Sequence, residues 1–292
     1  MRTVTVVSGK GGVGKSSVTA SLAVLLSEER KIAAADCDVD ASNLALILGV
    51  EEFEEEEELS TNEKAFLDED KCTSCGKCKD ICTFSAINWN EEREIPRINR
   101  YQCEGCGACA LVCPEDAFEL KEIQNAKIGR VVTECGFPLV SGQLKMGEAG
   151  SGKVVSEIKN KVDEENAEIL LADSAAGIGC PVIASVRGSD YVVAVTEPSP
   201  SGLSDLKRVL EIVDHFGIDY GIIINKYDLN KDFTGKIEEF ARGRDVKILG
   251  KIPYDRAFVD SLVKMKPVVE EKEEYRKLFS DINDKILRSI ED

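Results

Sequence analysis

The sequence predicts an α/β protein: a parallel sheet covered by helices, with a small cysteine-rich α+β domain inserted into it. Three observations predict this. Short continuous apolar runs alternate with helical stretches at both ends of the chain, the pattern of buried parallel strands joined by crossover helices. A glycine-rich loop joins the first strand to the first helix. Between them, residues 59–123 break the rhythm and hold eight of the eleven cysteines in two similar halves, an internal repeat that marks a separate duplicated domain.

The first strand is expected at residues 3–7, then a loop at 9–15, a helix at 16–28 and a strand at 31–35. The pattern returns after residue 160, with strands at 168–172, 191–195, 220–224 and 246–252 and helices at 201–216 and 233–242. Near the end, residues 272–290 place Tyr275, Leu278, Phe279, Ile282, Ile286 and Ile290 at helical spacing. The other face of this helix mixes acids with bases, unlike the basic face of a membrane-surface helix, so it is expected to dock on the sheet. The expected bounds are 1–58 and 125–292 for the sheet domain and 59–124 for the insert.

A net charge of −17 excludes the basic stripe that nucleic-acid binding needs. Much of the acidity is local: seven glutamates fill residues 51–58, interrupted by Phe53, and read as a solvated linker into the insert. Strand-like sequence at residues 2–7 leaves no space for a secretory leader. No stretch approaches the roughly 20 apolar residues of a membrane helix. The expected location is therefore cytoplasmic, a reducing compartment in which clustered cysteines point to metal ligation rather than disulfides.

Gly9, Lys10, Gly11, Gly12, Val13, Gly14, Lys15 and Ser16 fit G-x-x-x-x-G-K-[ST] between a strand and a helix, the context this phosphate-binding motif requires. Glycines let successive amides curl around phosphate oxygens, and the helix N-terminus adds positive potential. The expected contacts are Gly11, Gly12, Val13 and Gly14 around the phosphates and Lys15 on the β and γ groups. Ser16 is expected on Mg²⁺, with Ser17 beside it. Residues 147–153 repeat the glycine–lysine spacing, but Val154 replaces the hydroxyl residue and Glu148 would repel phosphate. They read as a loop leading into a helix at 153–162, with Ser151 as a candidate cap.

With its extra lysine, Lys10, the segment K-G-G-V-G-K-S resembles the deviant phosphate loop of the MinD/ParA/Mrp class, which includes the nitrogenase iron protein. The resemblance covers residues 1–50 and 125–265. It implies that Lys10 crosses a dimer interface to the partner's phosphates, and hence a homodimer with nucleotide at that interface. Asp36, Cys37 and Asp38, with Asn43 beyond, resemble the class's switch, which implies that Asp38 orients the attacking water. Residues 170–177 resemble its Walker B run, which implies that Asp173 braces Mg²⁺ through water; Ala175 and Ala176 stand where prolines are frequent. Asn225, Lys226, Tyr227 and Asp228 alone would suggest guanine recognition, whereas in this class an asparagine there faces adenine. Ile252, Pro253 and Tyr254 resemble the second base contact. Asn225, Pro253 and Tyr254 are thus implied to hold the base of ATP or ADP.

Cys72, Cys75, Cys78 and Cys82 are separated by two, two and three residues, and Cys103, Cys106, Cys109 and Cys113 repeat this 31 residues later. Pro114 follows the second run and Thr83 the first. Zinc sites take four ligands, often as two separated pairs, and fit tandem runs poorly. The module resembles bacterial two-[4Fe–4S] ferredoxins. That resemblance implies one cluster on Cys72, Cys75, Cys78 and Cys113 and another on Cys103, Cys106, Cys109 and Cys82. Cys37 and Cys180 read as buried cysteines; the position of Cys180 also resembles a cluster ligand of the nitrogenase iron protein, which implies as the alternative a cluster held with Cys135 across a dimer. His215 reads as a surface or packing residue.

Together the resemblances imply a Mg²⁺-dependent ATPase carrying two [4Fe–4S] clusters, with electron transfer to a redox partner as the leading expectation. One alternative is assembly or delivery of iron–sulfur clusters to an acceptor protein. The other is a MinD- or ParA-like regulatory or positioning ATPase with the ferredoxin module as a sensor.

Overall fold

The structure, a computed structural model, describes residues 1–90 and 92–291. The chain begins with β1 (Arg2–Ser8), α1 (Lys15–Ser27), β2 (Ile32–Cys37), α2 (Leu44–Ile47) and β3 (Glu55–Leu59). Next come β4 (Asn62–Leu67), α3 (Lys77–Ile81), β5 (Ile87–Asn90), β6 (Ile95–Ile98), α4 (Ala108–Val112) and β7 (Phe118–Ile123). The chain continues through β8 (Ala126–Val132), β9 (Pro138–Leu144), α5 (Ser151–Asp163), β10 (Ile169–Ala176), α6 (Cys180–Val186), β11 (Tyr191–Thr196) and α7 (Pro200–Phe216). It ends with β12 (Tyr220–Asn225), α8 (Lys231–Gly243), β13 (Lys247–Ile252), α9 (Ala257–Val263), α10 (Val268–Glu271) and α11 (Glu273–Glu291). Two compact units result. The sheet unit comprises residues 1–57, 128–143 and 151 onward, and the cysteine unit comprises 58–127 and 144–150.

The sheet unit carries a sheet of order β13-β12-β11-β1-β10-β2-β9-β8-β3, in which every pairing from β13 to β9 is parallel. Its central strands are valine-, isoleucine- and alanine-rich because both faces are covered. One face packs Val4, Val6 and Leu171 against α1 and α11, with Phe279, Ile282 and Ile286 from the latter. The other packs Val7, Val192 and Ala194 against Leu206, Leu210 and Val213 of α7 and Ile237 of α8. The terminal helix docks as its periodicity predicts. His215 lies exposed near the end of α7, edge-on to Phe216.

The acidic run corrects the linker expectation: residues 55–59 form β3, an edge strand of this sheet. Glu54 N–H donates to the Arg130 carbonyl at 3.0 Å, and Glu57 pairs with Lys161 at 3.0 Å. An edge strand made of charge discourages pairing with other chains, and a strand with no apolar alternation gives no period-2 signal. β8 and β9, joined by residues 133–137, extend the same sheet beyond the strands that the sequence pattern predicts.

In the cysteine unit β4 pairs antiparallel with β7 and β5 with β6. The two halves repeat in structure as in sequence. Gly76 (φ 80°) and Gly107 (φ 75°) open α3 and α4 in the left-handed region that suits glycine. Ser85 and Asp116 share the next left-handed position (φ 53° and 48°). The unit also takes residues 144–150, outside the expected bounds. Glu148 Oε2 lies 2.6 Å from Nζ of Lys64, which is buried and also donates to the Arg100 carbonyl at 2.6 Å. That ion pair explains the glutamate in the second glycine–lysine segment. The following helix begins at Ser151 itself, two residues before the expected start.

Candidate functional site

The phosphate loop lies between β1 and α1, at the carboxyl end of the parallel sheet, where ligands bind in folds of this kind. Gly14 has φ 89° and precedes the helix; a Cβ there would stand 2.4 Å from Asn225 Nδ2. Only glycine suits both the backbone and the space. Asn225 Nδ2 donates to the Val13 carbonyl at 2.7 Å, and its Oδ1 accepts from Lys226 N–H at 2.9 Å. The side chain expected on adenine therefore braces the loop. Lys226 Nζ adds a bond to the Gly12 carbonyl at 3.0 Å. Pro253 and Tyr254 follow β13, and Tyr254 N–H donates to Asp228 Oδ1 at 2.7 Å, tying that loop to the one after β12.

Beneath the loop, Lys15 Nζ lies 2.8 Å from Asp173 Oδ1, with both side chains buried. Ser16 Oγ is 3.4 Å from the same ammonium. The Thr19 hydroxyl also donates to Asp173 Oδ1, at 2.7 Å. Asp173 Oδ2 is buried and, among the described residues, has no hydrogen-bond partner. Asp173 and Asp36 stand side by side on adjacent parallel strands. Burial, then the Asp173 charge, pushes the Asp36 carboxyl up to about 7. Asp36 accepts from Leu44 N–H at 2.9 Å and Asp38 N–H at 3.1 Å, which fixes the turn carrying Asp38. Asp38 is raised by burial, against the opposing charge of Lys15. A buried, unpartnered carboxylate oxygen beside a serine hydroxyl is a donor set suited to Mg²⁺ and its waters.

Lys10 lies on its own chain. Its Nζ is 2.6 Å from Glu197 Oε1 and 3.0 Å from Ser201 Oγ. Glu197 also accepts from Lys226 at 3.2 Å. Glu197 and Thr19 escape a sequence reading because neither belongs to a motif; Glu197 is marked only by its place just past the end of β11.

In the cysteine unit, Cys82, Cys103, Cys106 and Cys109 line one small cavity with Ala65, Ile87 and Ile98. Cys78 and Cys109 are core residues of the unit. Ala86 N–H donates to Cys82 Sγ and Ala117 N–H to Cys113 Sγ, each at 3.3 Å. Burial pushes the Cys78 thiol up to about 11, and raises that of Cys109. All eleven cysteines are free thiols. Among the described residues no group of three or more His, Cys, Asp or Glu side chains is gathered to hold a metal ion. Cys180 is exposed at the start of α6; Cys135 is half-buried and donates to Glu270 Oε1 at 3.6 Å. Cys37 is buried as expected.

A model of the CobQ/CobB/MinD/ParA nucleotide-binding domain family matches residues 4–268. The chain belongs to this family of nucleotide-binding proteins and is an ATPase. An uncharacterized protein of Methanocaldococcus jannaschii is 40% identical over 227 residues, 78% of this chain and 79% of its own length. The septum site-determining protein MinD of Helicobacter pylori is 26% identical over 288 residues, 97% of this chain and 90% of its own. Among solved structures, MinD of Pyrococcus horikoshii complexed with Mg-ADP matches with a TM-score of 0.60 at 21% identity, covering 98% of this chain and 95% of that one. No helix among the described residues is long and apolar enough to cross a membrane.

Proposed function

We propose that the chain is an ATP switch of the MinD/ParA type whose cysteine unit binds two [4Fe–4S] clusters and reports or regulates through them. The family and the MinD relatives favour a regulatory ATPase over a dedicated electron carrier, which reverses the order of the expectations from sequence. The observation that carries the cluster reading is the shared cavity: Cys82 from one run meets Cys103, Cys106 and Cys109 from the other.

The residues fit the group. Four sulfurs in apolar surroundings, two of the eight cysteines receiving a backbone N–H, match what holds and tunes such clusters. A single metal ion gathers all its donors around one centre, each about 2.3 Å from the ion, whereas each thiolate of a cubane would take a separate iron and stand farther from the others. Burial disfavours bare thiolates, and iron would supply the missing positive charge. The proposed ligands are Cys72, Cys75, Cys78 and Cys113 for one cluster and Cys103, Cys106, Cys109 and Cys82 for the other.

In the ATPase, Lys15 binds the phosphates with the amides of residues 11–14, Ser16 and Asp173 serve Mg²⁺ and its waters, and Asp38 orients the attacking water. Asn225 supports the loop, which leaves Pro253 and Tyr254 for the base. The active form is a homodimer. From Asp38 the chain runs through α2 into β3 and on to the cysteine unit, the route by which an ordering of the switch by nucleotide would reach it.

Electron transfer is the second reading, favoured by eight cysteines in two repeated runs, of which Cys78 and Cys109 are buried in the core of the unit. Cluster potentials measured with and without MgATP test the coupling, and iron transfer to an apo-ferredoxin tests delivery. A shift in potential on binding ATP is expected; identical potentials and unchanged dimerisation would contradict it.

A further inference from the structure

The geometry points to Glu197 as a positioning residue that holds Lys10 away from the phosphates until nucleotide displaces it. Its carboxylate occupies the role of an anion beside the loop: one oxygen accepts from Lys10 at 2.6 Å, the other from Lys226 at 3.2 Å. Both lysines are tied to the loop. Lys10 lies within it, and Lys226 donates to its Gly12 carbonyl. Lys10 is secured further by Ser201 Oγ at 3.0 Å and Ser199 Oγ at 3.4 Å.

The backbone that carries this carboxylate is fixed in place. A Cβ at Gly202 would stand 2.2 Å from the Glu197 carbonyl oxygen, so the first turn of α7 is packed closely on the Glu197 backbone. Burial works to raise the Glu197 carboxyl, but the bonds and charges of Lys10 and Lys226 outweigh it and leave it below its ordinary value. It therefore stays ionised, a fixed negative charge next to a site for a polyanion. A triphosphate must compete with it for Lys10, and a diphosphate offers less charge for that exchange. The latch thus lowers affinity for ATP more than for ADP and keeps the loop's charge neutralised when nucleotide is absent. It rests on the phosphate site alone, independent of what metal the cysteine unit holds.

The test is calorimetric binding of a non-hydrolysable ATP analogue and of ADP to the full chain, with Mg²⁺, for wild type, Glu197→Gln, Lys10→Met and the double variant. Freeing a charged hydrogen bond predicts about tenfold tighter binding of the ATP analogue in Glu197→Gln, a smaller gain for ADP, and no gain when Lys10→Met is already present. Glu197→Met carries the same comparison should the Gln variant lose its cooperative melting. Unchanged or weaker binding of the ATP analogue in a folded variant overturns the latch. A gain that persists in the Lys10→Met background also overturns it, since that would be simple removal of a repulsive charge.

Discussion

The sheet unit completes its core without its functional groups. Valines, isoleucines and leucines fill both faces of the sheet, and the charged residues stand at the strand ends, held by one another and by backbone. In the cysteine unit two of the proposed ligands, Cys78 and Cys109, belong to the core itself. Its cluster of buried residues is Ala65, Cys78, Ile87 and Cys109, with Cys82 and Cys103 packed against them. A unit of this size buries too little apolar surface to be secure alone and needs a staple, whether disulfide or metal. Its thiols are all free, and under the proposed function iron would be the staple. The proposed function therefore predicts that the sheet unit folds without its ligand and that the cysteine unit needs its clusters to fold.

The largest effect follows from withdrawing iron. Chelation under anaerobic conditions is expected to abolish amide protection across residues 58–127 while β1, β10 and β11 keep theirs, read by hydrogen exchange. Equal protection with and without iron would erase the contrast.

Lys15→Met is next. It is expected to weaken ATP binding about 100-fold or more, since removing one partner of a hydrogen-bonded charge pair costs about 2–5 kcal/mol. Leaving Asp173 buried and uncompensated costs about 3–5 kcal/mol of stability in urea unfolding. Adding Asp173→Asn restores most of that stability and none of the binding.

The buried pair of the cysteine unit sharpens the comparison, because it serves structure only. Lys64→Met alone is expected to cost about 3–5 kcal/mol, and Lys64→Met with Glu148→Leu about 1 kcal/mol or less. Nucleotide affinity is unchanged in the double variant.

The smallest effect belongs to Asp36→Asn. The folded-state carboxyl sits at about 7 against an ordinary 3.8, so the native protein holds the proton more tightly than the unfolded chain. Stability contributed by that proton is full below the ordinary value and is lost as pH rises through 7. Unfolding at pH 5 and pH 8 checks the sign: the variant gains on wild type at pH 8 relative to pH 5.

Much of the sheet unit was legible because buried parallel strands are continuous apolar runs and the phosphate loop has fixed spacing. Lys15, Ser16, Asp38 and Asp173 come together at one end of the sheet from strands and turns read correctly in sequence. What stayed hidden was decided by tertiary partners. The glutamates of β3 form a strand because lysine, arginine and a neighbouring strand meet them, and propensity alone favours coil. Asn225 also braces the loop, because the left-handed Gly14 leaves its amide facing the Val13 carbonyl, a contact that no motif announces. Glu148 looked like a fault in a phosphate motif, and Lys64, 84 residues earlier in the chain, supplies its reason.

Metal analysis of the protein purified without oxygen tests the central claim most directly. The account predicts about eight irons and eight sulfides per chain, as two [4Fe–4S] clusters, in protein that also binds MgATP. Zinc in their place, or a folded cysteine unit free of metal, would contradict it.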